Sequence, residues 1–171
     1  MVARLPAAAG DGEVAERIRA RRGGTLYLLD ELLLHSPPVA DGWNQLLGAI
    51  RQRITLPAAI RELVVLRVAV LNRAEYEWFT HEPEARRAGL GPAQLRAIRR
   101  ADAAEDPAFD AVQRRVITYT DTLTREIEVP DAVFDALRPD FSTAELVELT
   151  ATVAVYNMVS RFLVALRVLP E

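Results

Sequence analysis

Along most of this chain, apolar residues recur at steps of three and four, the repeat that gathers one stripe on a helix. No segment sustains the period-two alternation of a half-buried strand between hairpin turns. Residues 11–22 form a charged amphipathic segment stopped by Gly23-Gly24, and residues 25–35 (TLYLLDELLLH) form a second helix. Pro37-Pro38 opens a third through Trp43, Leu46, Leu47 and Ile50, and Pro57 sits at the first turn of a fourth that runs to about Leu71. A fifth covers residues 73–88 and is closed by Gly89, and Gly91-Pro92 starts a short one through Leu95 and Ile98. Asp106-Pro107 pairs a capping side chain with a first-turn proline ahead of the helical rhythm Phe109, Val112, Val116, Tyr119, Leu123. A short segment follows at residues 130–137, and Ser142 with Glu145 forms a capping box for a long helix to about Val168. The pattern predicts an all-α bundle of eight or nine helices. It shows no linker, so residues 1–171 read as one domain, with residues 1–24 as a peripheral arm or helix. A shared look around Glu62 and Glu148 is too short to establish an internal duplication.

The fourth helix is apolar on nearly every side, which predicts a central, buried position. Glu62 nevertheless stands on it beside Ala58, Ala59, Val65, Leu66 and Ala69, with Arg61 and Arg67 on other faces. Charges in such a helix need partners, because removing one partner of a buried pair costs about 3–5 kcal/mol. On the next helix Ala74, Glu77, His81 and Glu84 share a face, and Glu77 and His81 are i,i+4 neighbours able to touch. Pro83 predicts a kink or break just after His81, where a pocket can open. Tyr76 and Trp78 project from other strips as core packing or substrate contacts. His35, before Pro37-Pro38, reads as a capping residue.

Composition removes several function classes. The net charge of −3 and pI near 5.5 give no electrostatic basis for nucleic acid or an anionic membrane as partner. All 21 cationic residues are Arg, the bias of a GC-rich, bacterial genome. With no cysteine there is no disulfide, thiolate metal site or peroxidatic thiol. The N-terminus lacks the continuous apolar core of a signal peptide, and the run 63–71 is interrupted by Arg67 and too short to span a bilayer, so a cytoplasmic protein is expected. No glycine-rich phosphate loop is present.

Taken together, Arg61-Glu62-Leu63, then Glu77-Trp78-x-x-His81, then Ala85 and Ala88-Gly89-Leu90 resemble the carboxymuconolactone decarboxylase family, which shares its fold with alkylhydroperoxidase D. The stretch 156–163 (YNMVSRFL) resembles a signature of longer members of that family. The resemblance implies an alkylhydroperoxidase D-like helical bundle. In the peroxidase branch a Glu precedes a Cys-x-x-Cys-x-x-x-His motif. Laid on this chain, the Glu falls on Glu62, the cysteines on Ala74 and Glu77, and the His on His81. The resemblance therefore keeps a proton relay and deletes the redox centre. It further implies chemistry without a cofactor and assembly as a homotrimer or homohexamer; the strongly apolar helices by themselves favour self-association of no particular number.

The expected activity is that of a cofactor-independent lyase or isomerase acting on a small carboxylated or carbonyl-containing substrate. His81, Glu62 and Glu77 are the candidate catalytic groups, since an imidazole shuttles protons near neutral pH and a carboxylate can orient it. Arg161 is the first candidate to hold a substrate carboxylate, with Asn157 beside it, Tyr76 and Arg73 as further contacts, and Arg67 in reserve. Glu62, Glu77 and His81 could also offer oxygen and nitrogen donors to a divalent ion, but no second histidine lies near and no metal is expected. Two alternatives stand beside the enzyme. One is a non-catalytic oligomeric scaffold in which Glu62 is half of a structural salt bridge. The other is a peroxidase-type antioxidant, which the missing cysteines oppose.

Overall fold

A computed structural model describes residues 3–170, and among them nine α-helices and one 3₁₀ turn account for all regular structure. The all-α expectation is borne out. Two compact units are distinguished within the chain.

The first unit comprises the described residues up to Ile54 together with Ala165–Leu169. It holds α1 (Glu13–Arg22), α2 (Leu28–Leu33) and α3 (Pro37–Gln52). Gly23 ends α1 in the left-handed conformation, as its position after the last periodic residue predicts. α2 is shorter than residues 25–35, because Gly24 is also left-handed and Tyr27 is extended. Its first turn is then fixed by Asp30, whose carboxylate accepts the Tyr27 N–H at 3.0 Å and pairs with Arg22. His35 caps no helix; its ring lies 2.8 Å from the Pro6 carbonyl oxygen.

The second unit, Thr55–Val164 with Pro170, carries α4 (Ala58–Leu71), α5 (Glu75–Arg87), α6 (Pro92–Ala97), the 3₁₀ turn Ala103–Glu105, α7 (Ala111–Arg125), α8 (Asp131–Asp135) and most of α9 (Thr143–Leu166). α4 is the central helix, packed chiefly against α5 and α7, with Ile60, Leu63–Leu66, Val68 and Ala69 buried. Pro57 supplies no capping side chain for α4. Instead, a carboxylate oxygen of Glu148 on α9 accepts the N–H of Thr55 at 2.9 Å, the N–H of Leu56 at 2.8 Å and the Thr55 hydroxyl at 3.0 Å. At the other end Arg73 is left-handed (φ 55°) and the Ala74 N–H reaches back to the Ala69 carbonyl, a Schellman closure built without glycine. That closure delays α5 to Glu75.

Two boundaries differ from the sequence pattern for local reasons. α7 is capped by Asp110, whose carboxylate accepts the Gln113 N–H while the Gln113 side chain accepts the Asp110 N–H. Asp106 holds a tight turn through the Ala108 N–H instead, leaving Phe109 buried ahead of the helix. α5 continues through Pro83 without a break. The capping box of α9 forms as expected between Ser142 and Glu145. By length and composition alone α9 could cross a bilayer, yet it buries Thr152, Tyr156, Asn157 and Ser160.

Candidate functional site

Glu62 and Arg67 are both charged and both buried on α4, at 3% and 1% exposure. Five positions apart on a helix, they project about 140° apart, and each is matched by a different neighbour. The Arg67 guanidinium grips Asp121 of α7 with two bonds of 2.5 Å and donates to the carbonyls of Ile98 at 2.8 Å and Arg100 at 2.7 Å. It is fully committed and structural. Glu62 instead faces α5.

The buried residues of α5 are Glu77, His81 and Ala85, with Ala74 buried just ahead of the helix. Small or polar side chains on that face let α5 approach α4 closely. Glu84, expected on the same face, points away and pairs with Arg87. His81 Nδ1 lies 2.7 Å from Glu62 Oε2, His81 Nε2 lies 3.4 Å from Glu77 Oε2, and all three residues are under 5% exposed. From α9, Tyr156 places its hydroxyl 3.4 Å from Nε2 and its ring edge-on to the imidazole, with centroids 5.2 Å apart. Arg61 Nε donates to the second Glu62 oxygen at 3.2 Å.

These distances assign the imidazole. Burial alone pushes the Glu62 carboxyl up, but the His81 hydrogen bond and charge, with Arg61 behind them, outweigh it and hold Glu62 below its ordinary 4.5. Glu62 is therefore an acceptor only, and Nδ1 must carry the hydrogen between them. The other ring nitrogen, Nε2, faces Glu77 and Tyr156.

Other expected contacts fall elsewhere. Arg161 is exposed and donates to the Asn157 side chain at 2.6 Å. Asn157 also accepts from Asn72 at 2.9 Å and donates to Thr124 at 3.0 Å, so it ties the end of α4 to α7 and α9. Both sit on a different face of α9 from Tyr156. Arg73 is exposed at the α4 cap, and Tyr76 is half-buried on a different side of α5 from Glu77. Glu62, Glu77 and His81 thus converge, whereas Arg161, Asn157 and Arg73 do not join them. Tyr156 and Arg61 were missed as site residues. For Arg61 the adjacency to Glu62 was the available signal; for Tyr156, ninety-four residues beyond Glu62, there was none short of the tertiary fold. Among the described residues no group of three or more His, Asp or Glu is disposed to hold a metal ion.

Residues 37–119 match the carboxymuconolactone decarboxylase family. That stretch is just under half of the chain and contains Glu62, Glu77 and His81, so the resemblance seen in the sequence is borne out. None of the curated proteins matches the chain. Among solved structures, an uncharacterised peroxidase-related protein from a Silicibacter species superposes with a TM-score of 0.83 at 18% identity, over 99% of this chain and 92% of that one. The alkylhydroperoxidase AhpD core of a peroxidase-related protein from Ralstonia eutropha gives 0.81 at 19% identity, over 100% and 93%. The debrominase Bmp8, as a cysteine-to-alanine variant in complex with 2,3,4-tribromopyrrole, gives 0.71 at 15% identity, over 90% and 81%. At these identities the likeness establishes the fold: the chain has the alkylhydroperoxidase D-like helical architecture.

Proposed function

We propose that this chain is a cofactor-independent acid–base catalyst, a lyase or isomerase acting on a small carboxylated or carbonyl-containing molecule, with His81 as the proton carrier. The observation that carries this reading is the 2.7 Å contact between His81 Nδ1 and an ionised, buried Glu62, which leaves Nε2 as the reactive nitrogen. Glu62 orients the imidazole and stabilises its cationic form. Nε2 gives a proton to, or takes one from, a carbon next to a carbonyl, and Glu77 returns the proton balance. In a decarboxylation the bond to CO2 breaks, its electrons enter the conjugated system, and Nε2–H protonates the carbon they reach. Arg61 replaces Arg161 as the group that holds the substrate carboxylate, because it is the guanidinium adjoining the cluster, with 18% of its side chain exposed. The family's name makes carboxymuconolactone the first substrate to try. The peroxidase-related neighbours suggest peroxide reduction, but this chain has no cysteine to supply a thiol route.

The near-complete burial of Glu62, Glu77, His81 and Tyr156 favours one competing reading: a polar clamp joining α4, α5 and α9 in a non-catalytic scaffold. Proton NMR in D2O separates the two. A catalyst loses CO2 from carboxymuconolactone, or exchanges deuterium into it, and His81→Gln stops this while the far-UV circular dichroism is unchanged. A wild-type protein inert toward unsaturated lactone acids and simple 2-oxo acids, or a His81→Gln variant as active as wild type, would remove the catalytic reading. The proposal includes self-assembly. Val147, Ala151, Ala154 and Met158 recur at steps of four, three and four on α9, and Val147 and Met158 are 65% and 40% exposed.

A further inference from the structure

We infer that the hollow between α7, α8 and the 3₁₀ turn binds a small organic monocarboxylate with a compact apolar body, at a place separate from the His81 cluster. The hollow is an open depression of about 390 Å³ on the surface. It exists because alanines meet where larger side chains would ordinarily interlock: Ala104 on the 3₁₀ turn, Ala111 on α7, Ala132 on α8 and Ala136 at its C-cap, with Val133 completing the wall. Its volume is in the range of small-molecule sites, which pair apolar walls with a few placed polar groups.

The polar groups here are Arg114, Arg115 and Thr118, all on one side of α7. Their charges are not equivalent. Arg115 is neutralised by Asp140, which its Nε and Nη2 reach at 3.0 and 2.5 Å. Arg114 donates one N–H to the Phe109 carbonyl at 2.9 Å and has no carboxylate partner among the described residues. The hollow thus presents one uncompensated guanidinium beside an alanine-lined wall. A single carboxylate satisfies that guanidinium in bidentate fashion, and the wall receives the hydrocarbon that carries it. An organic cation would be repelled. A phosphomonoester would bring about two charges to one free partner.

The site is distinct because the opposite side of α7 faces the core. Val116 and Thr120, roughly half a turn round from Arg114 and Thr118, are buried there. The inference therefore does not depend on the proposed catalytic role of His81.

Titration of the 15N-labelled full-length protein with phenylacetate, followed by amide NMR, tests it. Saturable shifts are expected in α7, α8 and the 3₁₀ turn. Binding should weaken about tenfold for the neutral isostere phenylacetamide and for Arg114→Gln, the difference between a charge-assisted and a neutral hydrogen bond. Ala136→Leu, at an exposed position, should abolish the shifts by filling the hollow. The inference is overturned if phenylacetate gives no saturable shifts, if the shifts centre on α4 and α5 instead, if the amide binds as well as the acid, or if both variants bind like wild type.

Discussion

Glu62→Gln tests the claim on which the site rests, that a buried carboxylate is held ionised by two donors at once. In the native protein one oxygen takes the His81 proton at 2.7 Å and the other the Arg61 proton at 3.2 Å. A glutamine offers one carbonyl oxygen and one amide group, so it can accept from only one of them. The other donor is left unsatisfied in a buried setting, which costs about 1–3 kcal/mol. The surviving bond loses its charge assistance, about 1 kcal/mol more. The variant should therefore be destabilised by about 2–4 kcal/mol at pH 7, read from urea denaturation followed by circular dichroism. The pH dependence has a definite sign. Because the folded state lowers the Glu62 pKa, its stabilisation is fully present above the unfolded value near 4.5 and disappears as pH falls through the lower folded value. The two denaturation midpoints should consequently converge below about pH 4.5. A gap that stays constant from neutral pH to about pH 3, or no gap at neutral pH, would refute the ionised, doubly bonded Glu62.

Other outcomes follow from neighbouring geometry. Asp121→Ala strands the Arg67 guanidinium, which is 1% exposed, and should cost about 3–5 kcal/mol in the same denaturation assay. Arg73→Gly relieves a left-handed arginine (φ 55°) and should leave stability equal or raise it by up to about 1 kcal/mol, with turnover unchanged; lost turnover would return Arg73 to the site. Glu148→Ala removes the acceptor shared by Thr55 and Leu56 and should cost about 1–3 kcal/mol, with amide exchange at the start of α4 accelerated. Light scattering should give an assembly larger than a monomer, dissociated by Ala154→Arg on the exposed strip of α9.

What the sequence made legible was local, and what it hid was tertiary. The pairing of Glu77 with His81 could be read because a helix brings i and i+4 together whatever surrounds them. The burial of α4 could be read because a helix apolar on every side has only one place to go. Glu62 was identifiable as a charge in need of a partner, but not which partner. The same logic applied to Arg67, and there the answer was Asp121, fifty-four residues away, which turned a candidate substrate cation into a strut. Arg161 shows the same gap between sequence and tertiary placement. It interrupts an apolar helix, as a site residue would, but the polar groups it serves are Asn157 and, beyond it, Asn72 and Thr124. Pro83 shows the limit of local rules in the other direction, since α5 runs on through it.

The absence of thiols acquires a positive meaning from the geometry. Where the peroxidase motif would place its second cysteine, this chain has Glu77, 3.4 Å from His81 Nε2. If His81 and Glu77 share one proton as proposed, Arg61 offsets Glu62 and the proton can sit on either partner: imidazolium with Glu77 ionised, or neutral imidazole with Glu77 protonated. The two differ by one proton moved across that gap, and neither leaves a net buried charge, the condition that makes burial of ionisable groups costly. On the proposed reading, a carboxylate at this position puts a group that can hold one proton where the peroxidase motif has a thiol. Glu77→Gln isolates the point. The amide carbonyl still accepts from Nε2–H, so the fold should survive, but it cannot hold the proton, and kcat should fall by about two orders of magnitude or more. If Glu77→Gln instead turns over lactone acid at the wild-type rate, Glu77 is packing alone and the relay ends at His81.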